Sequence, residues 1–551
     1  VPGADDLYFL PLGGTGEIGM NLNLFGHDGA WIMVDLGVTF PEAGAPGIEL
    51  IMADPAFIEA RRERLAGLVL THAHEDHIGA VPHIWPRLRC PIYATAFTAS
   101  LVRGKLADAG LEKAAEVTEV PLSGRFQVGP FEIELITLTH SIPEPNALVI
   151  RTSAGTVLHT GDWKFDPDPV VGEDYDEAAL RALADEGVLA MVCDSTNALV
   201  PGTAGSEADV RDALEELVSG LKERVAIACF ATNVARVDSI CRVAQRTGRR
   251  VALVGRSLLR IHRAAVENGY MTDLPPLIDV KDAGHLPREE VLLLCTGSQG
   301  EPRGALWRIA RGEHRDVALE PGDAVVFSSR VIPGNERGIH ALQNALVEQG
   351  VEVLTDREAP IHVSGHPARD ELVQMYQWVR PRIAIPVHGE ARHLTAHGRL
   401  AHECQVPDVL VGKNGALMRL APGPAAIVEQ VPVGRLVLDG TRLAAAESAH
   451  LRARRKLLHN GSAMVTLVLD RGGSLREEPR LSFEGVIAPD EEAEILDQTM
   501  AAIEKALGRV SRARRTDDEE MAETARIAVR RFLLRATGNR PVIRVHVVRV
   551  E

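Results

Sequence analysis

The sequence is poor in cysteine, in aromatic residues and in long apolar runs. Its six cysteines form no CxxC pair among 551 residues, which argues against a disulfide framework or a thiolate zinc site and favours a reducing compartment. No run of about 18 apolar residues is present, so no membrane-spanning segment is expected. The first residues carry acid where a secretory signal would carry base. We therefore expect a cytoplasmic protein without membrane association.

Basic residues are outnumbered by acidic ones, 60 against 76, which gives a net charge of −16. A nucleic-acid-binding surface is normally basic, so this average argues against such a partner. The charges are segregated along the chain, however. Acid is concentrated in residues 490–494 and 517–523, and base in residues 452–456, 509–515 and 530–549. The net charge therefore does not exclude a nucleic-acid partner.

The chain is long enough for three or more domains. Short apolar strands bounded by glycine and aspartate fill residues 7–194, and strands alternate with helices from residue 206 to about residue 329. Strands then return, with IHVSGH and RIAIPVHGE both predicted to be strands that end in histidine. The predicted segments are a first domain in two parts (1–195 and 363–420), an inserted α/β domain (196–362), a linker (421–455) and a small α+β C-terminal domain (456–551).

Capping residues and apolar spacing predict several helices. A serine cap at Ser206 precedes apolar residues at helical spacing, and a second helix is predicted from Val234. Two helices of the C-terminal domain are predicted over residues 490–507 and 518–536.

One short stretch, THAHEDHIGA, places three histidines and two carboxylates within six residues. Crowding of this kind is unfavourable unless an ion is shared. Alternation in an extended segment places His72 and His74 on one side, and the following turn brings Asp76 and His77 close to them. Zinc prefers imidazole nitrogen and carboxylate oxygen, so the stretch indicates a metal-binding loop.

Two other interpretations apply to a stretch of this composition. A helical zincin motif needs a second histidine four residues after the first, and position 78 is isoleucine, so that motif is absent. A polar surface loop with incidental histidines is the remaining alternative.

THAHEDHIGA resembles the signature loop of the metallo-β-lactamase fold, whose further ligands come from later strand ends. Matching positions are His140 in TLTHSIP, Asp162 in LHTGDWKFDP and His388 in IPVHGE. The long interval between Asp162 and His388 resembles the β-CASP nucleases. FSSRVIPGNE, CTGSQGEP, GDWKFDP and the C-terminal segment most closely resemble the bacterial ribonuclease J family, over nearly the whole chain. The resemblance implies an α/β fold class: a metallo-β-lactamase αββα sandwich with an inserted β-CASP α/β domain and a small α+β C-terminal domain.

The resemblance also implies two divalent metal ions. Zn²⁺ is expected, and Mn²⁺ or Mg²⁺ stay open because metal availability matters as much as ligand type. The implied ligands are His72, His74 and His140 for one ion, and Asp76, His77 and His388 for the other, with Asp162 bridging the two.

Three catalytic residues are predicted from the resemblance: Asp76, Asp194 and His366. His366 in HVSGH either protonates the leaving oxygen or binds phosphate, with Asp194 in CDSTN holding its tautomer. Sequence leaves both roles open. Asp35 in AWIMVDLG would orient ligands without binding metal, or would cap a turn at its strand end.

Further residues resemble the family's RNA contacts. His362, Ser364 and His366 alternate in HVSGH and resemble a phosphate-gripping group. Glycine turns that offer N–H groups to anions resemble a pocket for a 5′ monophosphate. The predicted contacts are His362, Ser364 and His366 beside the metals, Ser328, Ser329 and Arg330 in the 5′ pocket, and Phe40 as a nucleobase-stacking ring.

The resemblance implies a ribonuclease with 5′ to 3′ exonuclease and endonuclease activity in mRNA decay and rRNA maturation. Its expected partners are single-stranded RNA with a 5′ monophosphate, one or three further copies of the chain in a homodimer or homotetramer, and an RNA-degradation complex. Two alternatives stay open: a β-CASP DNA nuclease and a non-catalytic RNA-binding scaffold. Histidine in IPVHGE favours the RNA-processing branch.

Overall fold

A computed structural model describes residues 2–41, 47–332 and 334–551. These residues divide into two compact units, one formed by residues 2–41 and 49–437 and the other by residues 47–48 and 438–551. Position 333, within the motif FSSRVIPGNE, lies outside the described residues. Over the described residues, no helix combines the length and the apolar character that crossing a bilayer demands.

The elements of the first 194 residues are mostly short strands. The strands are β1 (Leu7–Gly13), β2 (Thr15–Gly16), β3 (Leu22–His27), β4 (Ala30–Val34), β5 (Val38–Thr39), β6 (Ile48–Ala53), β7 (Leu65–Val69), β8 (Ile92–Ala94), β9 (Val117–Glu119), β10 (Arg125–Val128), β11 (Phe131–Thr137), β12 (Asn146–Thr152), β13 (Gly155–His159) and β14 (Ala190–Asp194). The helices are α1 (Ala56–Glu59), α2 (Glu75–Ile78), α3 (Val81–Leu88), α4 (Ala96–Asp108) and α5 (Glu177–Glu186).

Residues 207–354 alternate between helix and strand. The strands are β15 (Val225–Ala228), β16 (Arg250–Val254), β17 (Val291–Cys295), β18 (Ala324–Phe327) and β19 (Glu352–Leu354). The helices are α6 (Glu207–Gly220), α7 (Val234–Arg246), α8 (Arg256–Glu267), α9 (Val280–Ala283), α10 (Ala305–Ala310) and α11 (Glu336–Glu348).

The rest of the chain adds both element types. The strands are β20 (Ile383–Val387), β21 (Gly389–Glu390), β22 (Asp408–Val409), β23 (Ala416–Ala421), β24 (Ala426–Gln430), β25 (Arg435–Asp439), β26 (Arg442–Ala445), β27 (Ser462–Leu469), β28 (Arg480–Glu484) and β29 (Val542–Arg549). The helices are α12 (Arg369–Val379), α13 (Ala391–Glu403), α14 (Ala449–Asn460), α15 (Glu492–Leu507) and α16 (Asp518–Thr537).

Two large sheets face each other in the first unit. One has the order β24-β23-β1-β3-β4-β7-β8-β9, and the other the order β10-β11-β12-β13-β14-β20-β22. Phe9, Phe25 and Val34 of the first sheet form one buried cluster with Ile133 and Ile150 of the second. Inward-facing apolar side chains thus make the sandwich core.

Helices cover the outer faces of this sandwich. Leu180 of α5, Trp378 of α12 and Leu400 of α13 share a buried cluster with Leu158 and Met191 of the second sheet. On the first sheet, α4 contacts β8 and β9 and packs beside α3. The result is an αββα arrangement in which the strands run between two helical layers.

The inserted segment carries a five-stranded sheet of the order β16-β17-β15-β18-β19, and all its neighbouring strands are parallel. Strands β15, β17 and β18 are continuous apolar runs whose residues are all buried, as is typical of parallel sheets. The helix predicted from Ser206 is confirmed as α6, since the Ser206 side chain accepts a hydrogen bond from the backbone of Ala208. The helix predicted from Val234 is confirmed as α7.

The second unit contains a three-stranded sheet of the order β28-β27-β29, on which α15 and α16 pack. The predicted helix at residue 518 starts where expected, because Asp517 accepts hydrogen bonds from the first-turn amides of Glu519 and Glu520. The other predicted helix begins at Glu492 rather than at residue 490.

One strand prediction is wrong. Residues 361–366, the segment IHVSGH, form no strand. Instead, the Asn197 amide donates to Ser364 Oγ at 2.7 Å and to the carbonyl oxygen of His366 at 3.0 Å. Side-chain bonds thus replace a strand partner there. The strand predicted in RIAIPVHGE is confirmed as β20, and His388 follows it with a left-handed φ of 51°.

Candidate metal centre

The motif THAHEDHIGA leaves the end of β7 as an extended segment and turns into α2. The backbone N–H of Thr71 donates to Asp35 Oδ1 at 2.8 Å, which anchors the start of the segment. His74 is the last extended residue before α2, with φ −70° and ψ 152°. His72 Nε2 lies 3.1 Å from His74 Nδ1, as alternation in an extended segment predicts.

A first group of ring nitrogens comprises His72, His74 and His140. His140 Nε2 lies 3.0 Å from His74 Nδ1, while His140 Nδ1 bonds to the carbonyl oxygen of Gly365. Burial lowers the pKa of all three histidines, that of His74 to about 4. The rings are therefore neutral at neutral pH, which is the form that binds a metal ion.

A second group comprises Asp76, His77, Asp162 and His388. Oδ2 of Asp162 lies 3.1 Å from His77 Nε2 and 3.4 Å from His388 Nε2. Oδ2 of Asp76 lies 3.5 Å from His77 Nε2. The Asp162 Oδ2 atom is also 3.9 Å from His72 Nε2 in the first group. One carboxylate oxygen therefore lies between the two groups.

Charge in the second group is strongly coupled. Burial favours the neutral forms of Asp162 and Asp76, but the neighbouring histidines outweigh it and lower the pKa of both carboxyls. Burial likewise opposes protonation of His77, but the carboxylates of Asp162, Asp76 and Asp35 raise its pKa well above the usual value. Asp76 and Asp162 are therefore ionised, and their negative charges keep the His77 ring protonated. A divalent cation is an alternative source of that positive charge.

The donor set fits divalent metal ions. His388 Nδ1 lies 3.0 Å from Asn21 Oδ1, which fixes the proton on that nitrogen. The other ring nitrogen, Nε2, is buried and has no hydrogen-bond partner among the described residues. A buried nitrogen lone pair without a partner is unfavourable unless something binds it. Imidazole nitrogens and carboxylate oxygens are the ligands that zinc prefers.

The buried side chains of Asp35 and Asn21 contact the ring nitrogens of candidate ligands. Asp35 Oδ2 lies 2.7 Å from His77 Nδ1. Asn21 contacts His388 and also donates from Nδ2 to the carbonyl oxygen of Asp76 at 3.0 Å. Sequence reasoning missed Asn21, whose only local signal is an amide within the apolar run around Met20 and Leu22.

The buried Asp194 pairs with the partly exposed His366 beside the candidate metal ligands. His366 Nδ1 lies 2.8 Å from Asp194 Oδ2, and Asp194 Oδ1 accepts from the backbone N–H of Thr196. Burial disfavours the charged ring, but the Asp194 carboxylate outweighs it and raises the pKa of His366 to about 9. His366 is therefore protonated at neutral pH and can donate a proton or bind an anion.

The other two predicted phosphate contacts, His362 and Ser364, lie in the same segment as His366. Ser364 Oγ accepts from Asn197 and from the backbone N–H of His366. His362 Nδ1 is buried without a hydrogen-bond partner among the described residues. Burial, together with the nearby Arg236 charge, lowers the pKa of His362 to about 3.

The structure places the predicted 5′ pocket residues in different environments. Ser328 Oγ donates to the carbonyl oxygen of Ile361 at 2.7 Å and accepts from Arg236. Ser329 is buried, whereas Arg330 is exposed. Gln299 of the TGSQG turn donates to the carbonyl oxygen of Arg330 at 2.8 Å, so the two glycine- and serine-rich loops meet.

Phe40 lies just after β5. Its side chain is 65% exposed, so the ring is accessible to a base.

Comparison with protein families accounts for most of the chain. Residues 19–227 match the metallo-beta-lactamase superfamily, and residues 222–346 match the ribonuclease J beta-CASP domain. Residues 334–407 match the Zn-dependent metallo-hydrolase RNA specificity domain, and residues 449–550 match the ribonuclease J C-terminal domain. These matches confirm the predicted fold class: a metallo-β-lactamase sandwich with an inserted β-CASP domain and a C-terminal domain.

Similar curated proteins extend over the whole chain. Ribonuclease J of Sinorhizobium meliloti is 45% identical over 99% of this chain and 98% of its own length. Ribonuclease J of Mycolicibacterium smegmatis is 39% identical over 97% and 95%, and that of Thermus thermophilus is 34% identical over 98% and 94%. A crystal structure of a protein of unknown function from Enterococcus faecalis superposes with a TM-score of 0.52 at 14% identity, covering 75% of this chain and all of that one. This last likeness concerns the fold alone.

Proposed function

The chain belongs to the ribonuclease J family, and from that premise we propose that it is a metal-dependent ribonuclease with both 5′ to 3′ exonuclease and endonuclease activity. Its substrates would be RNAs undergoing decay or maturation, mRNA and rRNA among them. The observation that carries the proposal is the convergence of seven imidazole and carboxylate side chains in two adjoining groups, with Oδ2 of Asp162 in one group 3.9 Å from His72 Nε2 in the other.

Two divalent ions, of which zinc suits this donor set best, would supply a hydroxide near neutral pH and polarise the scissile phosphate. We propose that His72, His74 and His140 would hold one ion and Asp76, His77 and His388 the other, with Asp162 placed to serve both. Asp76 would contribute a ligand oxygen, and its negative charge would favour a cation at this site.

The chain's own acid and base groups complete the proposed reaction. His366 is the protonated group beside the cluster, and Asp194 fixes its Nδ1–H tautomer. We propose that His366 donates a proton to the departing 3′ oxygen or holds the phosphate during attack. His362 and Ser364 would contact adjacent phosphates, and Phe40 would stack on a base.

We propose that RNA is preferred over DNA and that a 5′ monophosphate is preferred over other 5′ ends. The match of residues 334–407 to an RNA specificity domain supports the first preference. Loops carrying Ser328, Ser329 and Arg330 would form the 5′ pocket, with backbone N–H groups facing the anion.

We further propose that the protein acts in the cytoplasm as a homodimer or homotetramer, within an RNA-degradation complex. All six cysteines are free, and five of them are buried. A chain with this cysteine usage suits a reducing compartment.

One experiment tests the proposed reaction. A single RNA carrying 5′ monophosphate, triphosphate or hydroxyl is incubated with purified protein and Zn²⁺, Mn²⁺ or Mg²⁺, beside a DNA strand of the same sequence, and product ends are mapped. We expect products with 5′ phosphate and 3′ hydroxyl from RNA, fastest from the monophosphate. Asp76→Asn should be inactive, whereas Asp174→Asn at an exposed position should match the wild type. Wild-type protein without activity, or an Asp76→Asn variant with full activity, contradicts the proposal.

A further inference from the structure

A network of four fully buried charged side chains connects the loop after Asp162 to the inserted domain. Lys164 Nζ lies 2.7 Å from Asp166 Oδ2, and that carboxylate also accepts the backbone N–H of Glu207 at 2.9 Å. Glu207 pairs in turn with Arg236, through Nε at 3.0 Å and Nη2 at 3.0 Å. Side-chain exposure is 0% for all four, and the two pairs balance in charge.

Arg236 is the member of this network that contacts the segments carrying the predicted RNA contacts. Its Nη1 donates to the carbonyl oxygen of Ser328 at 3.0 Å and to Ser328 Oγ at 2.7 Å. The same nitrogen donates to the carbonyl oxygen of Ile361 at 3.1 Å. One guanidinium therefore ties the end of β18 to the residue that precedes His362.

A buried ion pair is a poor source of stability, because desolvation offsets most of its attraction. What a planar, five-donor guanidinium supplies instead is a defined geometry. Here that geometry concerns two segments: residues 328–330, proposed to receive the RNA 5′ end, and residues 361–366, which carry His366 beside the metal ligands.

We propose that Arg236 is a positioning residue for RNA, which holds these two segments at a fixed separation so that the 5′ phosphate and the phosphate at the cluster are gripped together. The inference rests on the proposed function. It assigns the preference for a 5′ monophosphate to a buried side chain that touches no substrate.

The test compares Arg236→Met and Ser328→Ala with the wild type in the full-length, metal-loaded protein. The readouts are kcat and KM on one RNA with a 5′ monophosphate or a 5′ hydroxyl, metal content by elemental analysis, and melting temperature. For Arg236→Met we expect the ratio of kcat/KM between monophosphate and hydroxyl RNA to fall about tenfold, mainly through KM on the monophosphate. For Ser328→Ala, which removes the hydroxyl that accepts from Arg236 and donates to the Ile361 carbonyl, we expect a fall of about threefold. Metal content should not change.

Arg249→Met is the matched control. Arg249 is a buried arginine of the same domain that donates to the carbonyl oxygens of Leu221 and Glu223 and contacts neither segment. It should lower the melting temperature without changing the ratio. If Arg236→Met and Ser328→Ala slow both RNAs equally, the role is merely structural and the inference is overturned; if Arg236→Met fails to fold, an unchanged ratio in Ser328→Ala overturns it.

Failure of the two proposals can be told apart. A wild type that degrades RNA without distinguishing its 5′ ends overturns the role of Arg236 and leaves the ribonuclease activity in place. A wild type that degrades no RNA with any of the three metals overturns the proposed function, and the inference with it.

Discussion

Oδ2 of Asp35 lies 2.7 Å from Nδ1 of His77, and both side chains are buried. The same carboxylate accepts hydrogen bonds from the backbone and the hydroxyl of Thr71. Asp35 itself has a φ of 63°, a left-handed conformation that is uncommon outside glycine. Such strain persists only where surrounding contacts require it. Asp35 therefore fixes both the orientation of one candidate ligand and the start of the loop that carries three more.

Replacing Asp35 by Asn keeps the shape of the side chain but removes its charge. We expect zinc affinity to fall about 10- to 100-fold, because the partner of a ligating histidine sets its tautomer and basicity. Competition with a chromophoric chelator measures the affinity. Asp174→Asn, at an exposed position, should bind zinc like the wild type. Equal affinity in the two variants would refute the orienting role.

The Asp194–His366 pair predicts coupled losses of activity. Asp194→Asn and His366→Gln should each reduce kcat by roughly 100- to 10,000-fold, the range that a positioned proton donor contributes. Because the two groups act as one unit, the double variant should be little worse than either single variant. Losses that multiply in the double variant would show that the two residues act independently.

Gly365 lies directly against a candidate ligand. A Cβ at this position would be 2.5 Å from Cε1 of His140, closer than any real contact. Gly365→Ala should therefore displace the ring, weaken zinc binding and lower the melting temperature. Gly104→Ala is the control: it lies within α4, where a Cβ would meet no described atom within 4 Å. That change should stabilise the protein by about 0.5–1 kcal/mol. If Gly365→Ala binds zinc normally, the close contact does not constrain the site.

His397 predicts a loss of stability in acid. It is buried between Ser195 Oγ at 2.8 Å and Tyr376 OH at 2.9 Å, and burial lowers its pKa from 6.5 to about 4. The unfolded chain therefore takes up a proton below pH 6.5 that the folded protein refuses until about pH 4. Its stabilising contribution is complete above pH 6.5 and falls with decreasing pH across this window, by roughly 3 kcal/mol in total at about 1.4 kcal/mol per pH unit.

The check is the melting temperature of His397→Gln between about pH 7.5 and pH 4.5. The variant should lose fewer degrees than the wild type over this interval, since glutamine does not titrate. Replacing the exposed His285 by Gln should leave the wild-type slope unchanged. Parallel slopes for His397→Gln and the wild type would exclude this residue as an acid sensor.

Local patterns predicted the elements and the metal-binding loop THAHEDHIGA, and the family resemblance supplied the later candidate ligands; neither predicted most of the supporting contacts. The starts of α6 and α7 follow local capping and spacing signals, and the strand in RIAIPVHGE follows a continuous apolar run. Asn21 and His388 are 367 residues apart, and Gly365 and His140 are 225 apart. Pairings of this kind depend on how the sheets pack and leave no periodic signal. The predicted strand at IHVSGH failed for the same reason, because side-chain bonds from Asn197 take the place of a strand partner.

Anomalous diffraction at the zinc edge, from crystals grown with zinc, tests the central claim most directly. The account predicts two peaks per chain, one among His72, His74 and His140 and one among Asp76, His77 and His388, with an Asp162 oxygen between them. A single peak, or two peaks with His140, Asp162 or His388 turned away from both, would contradict it.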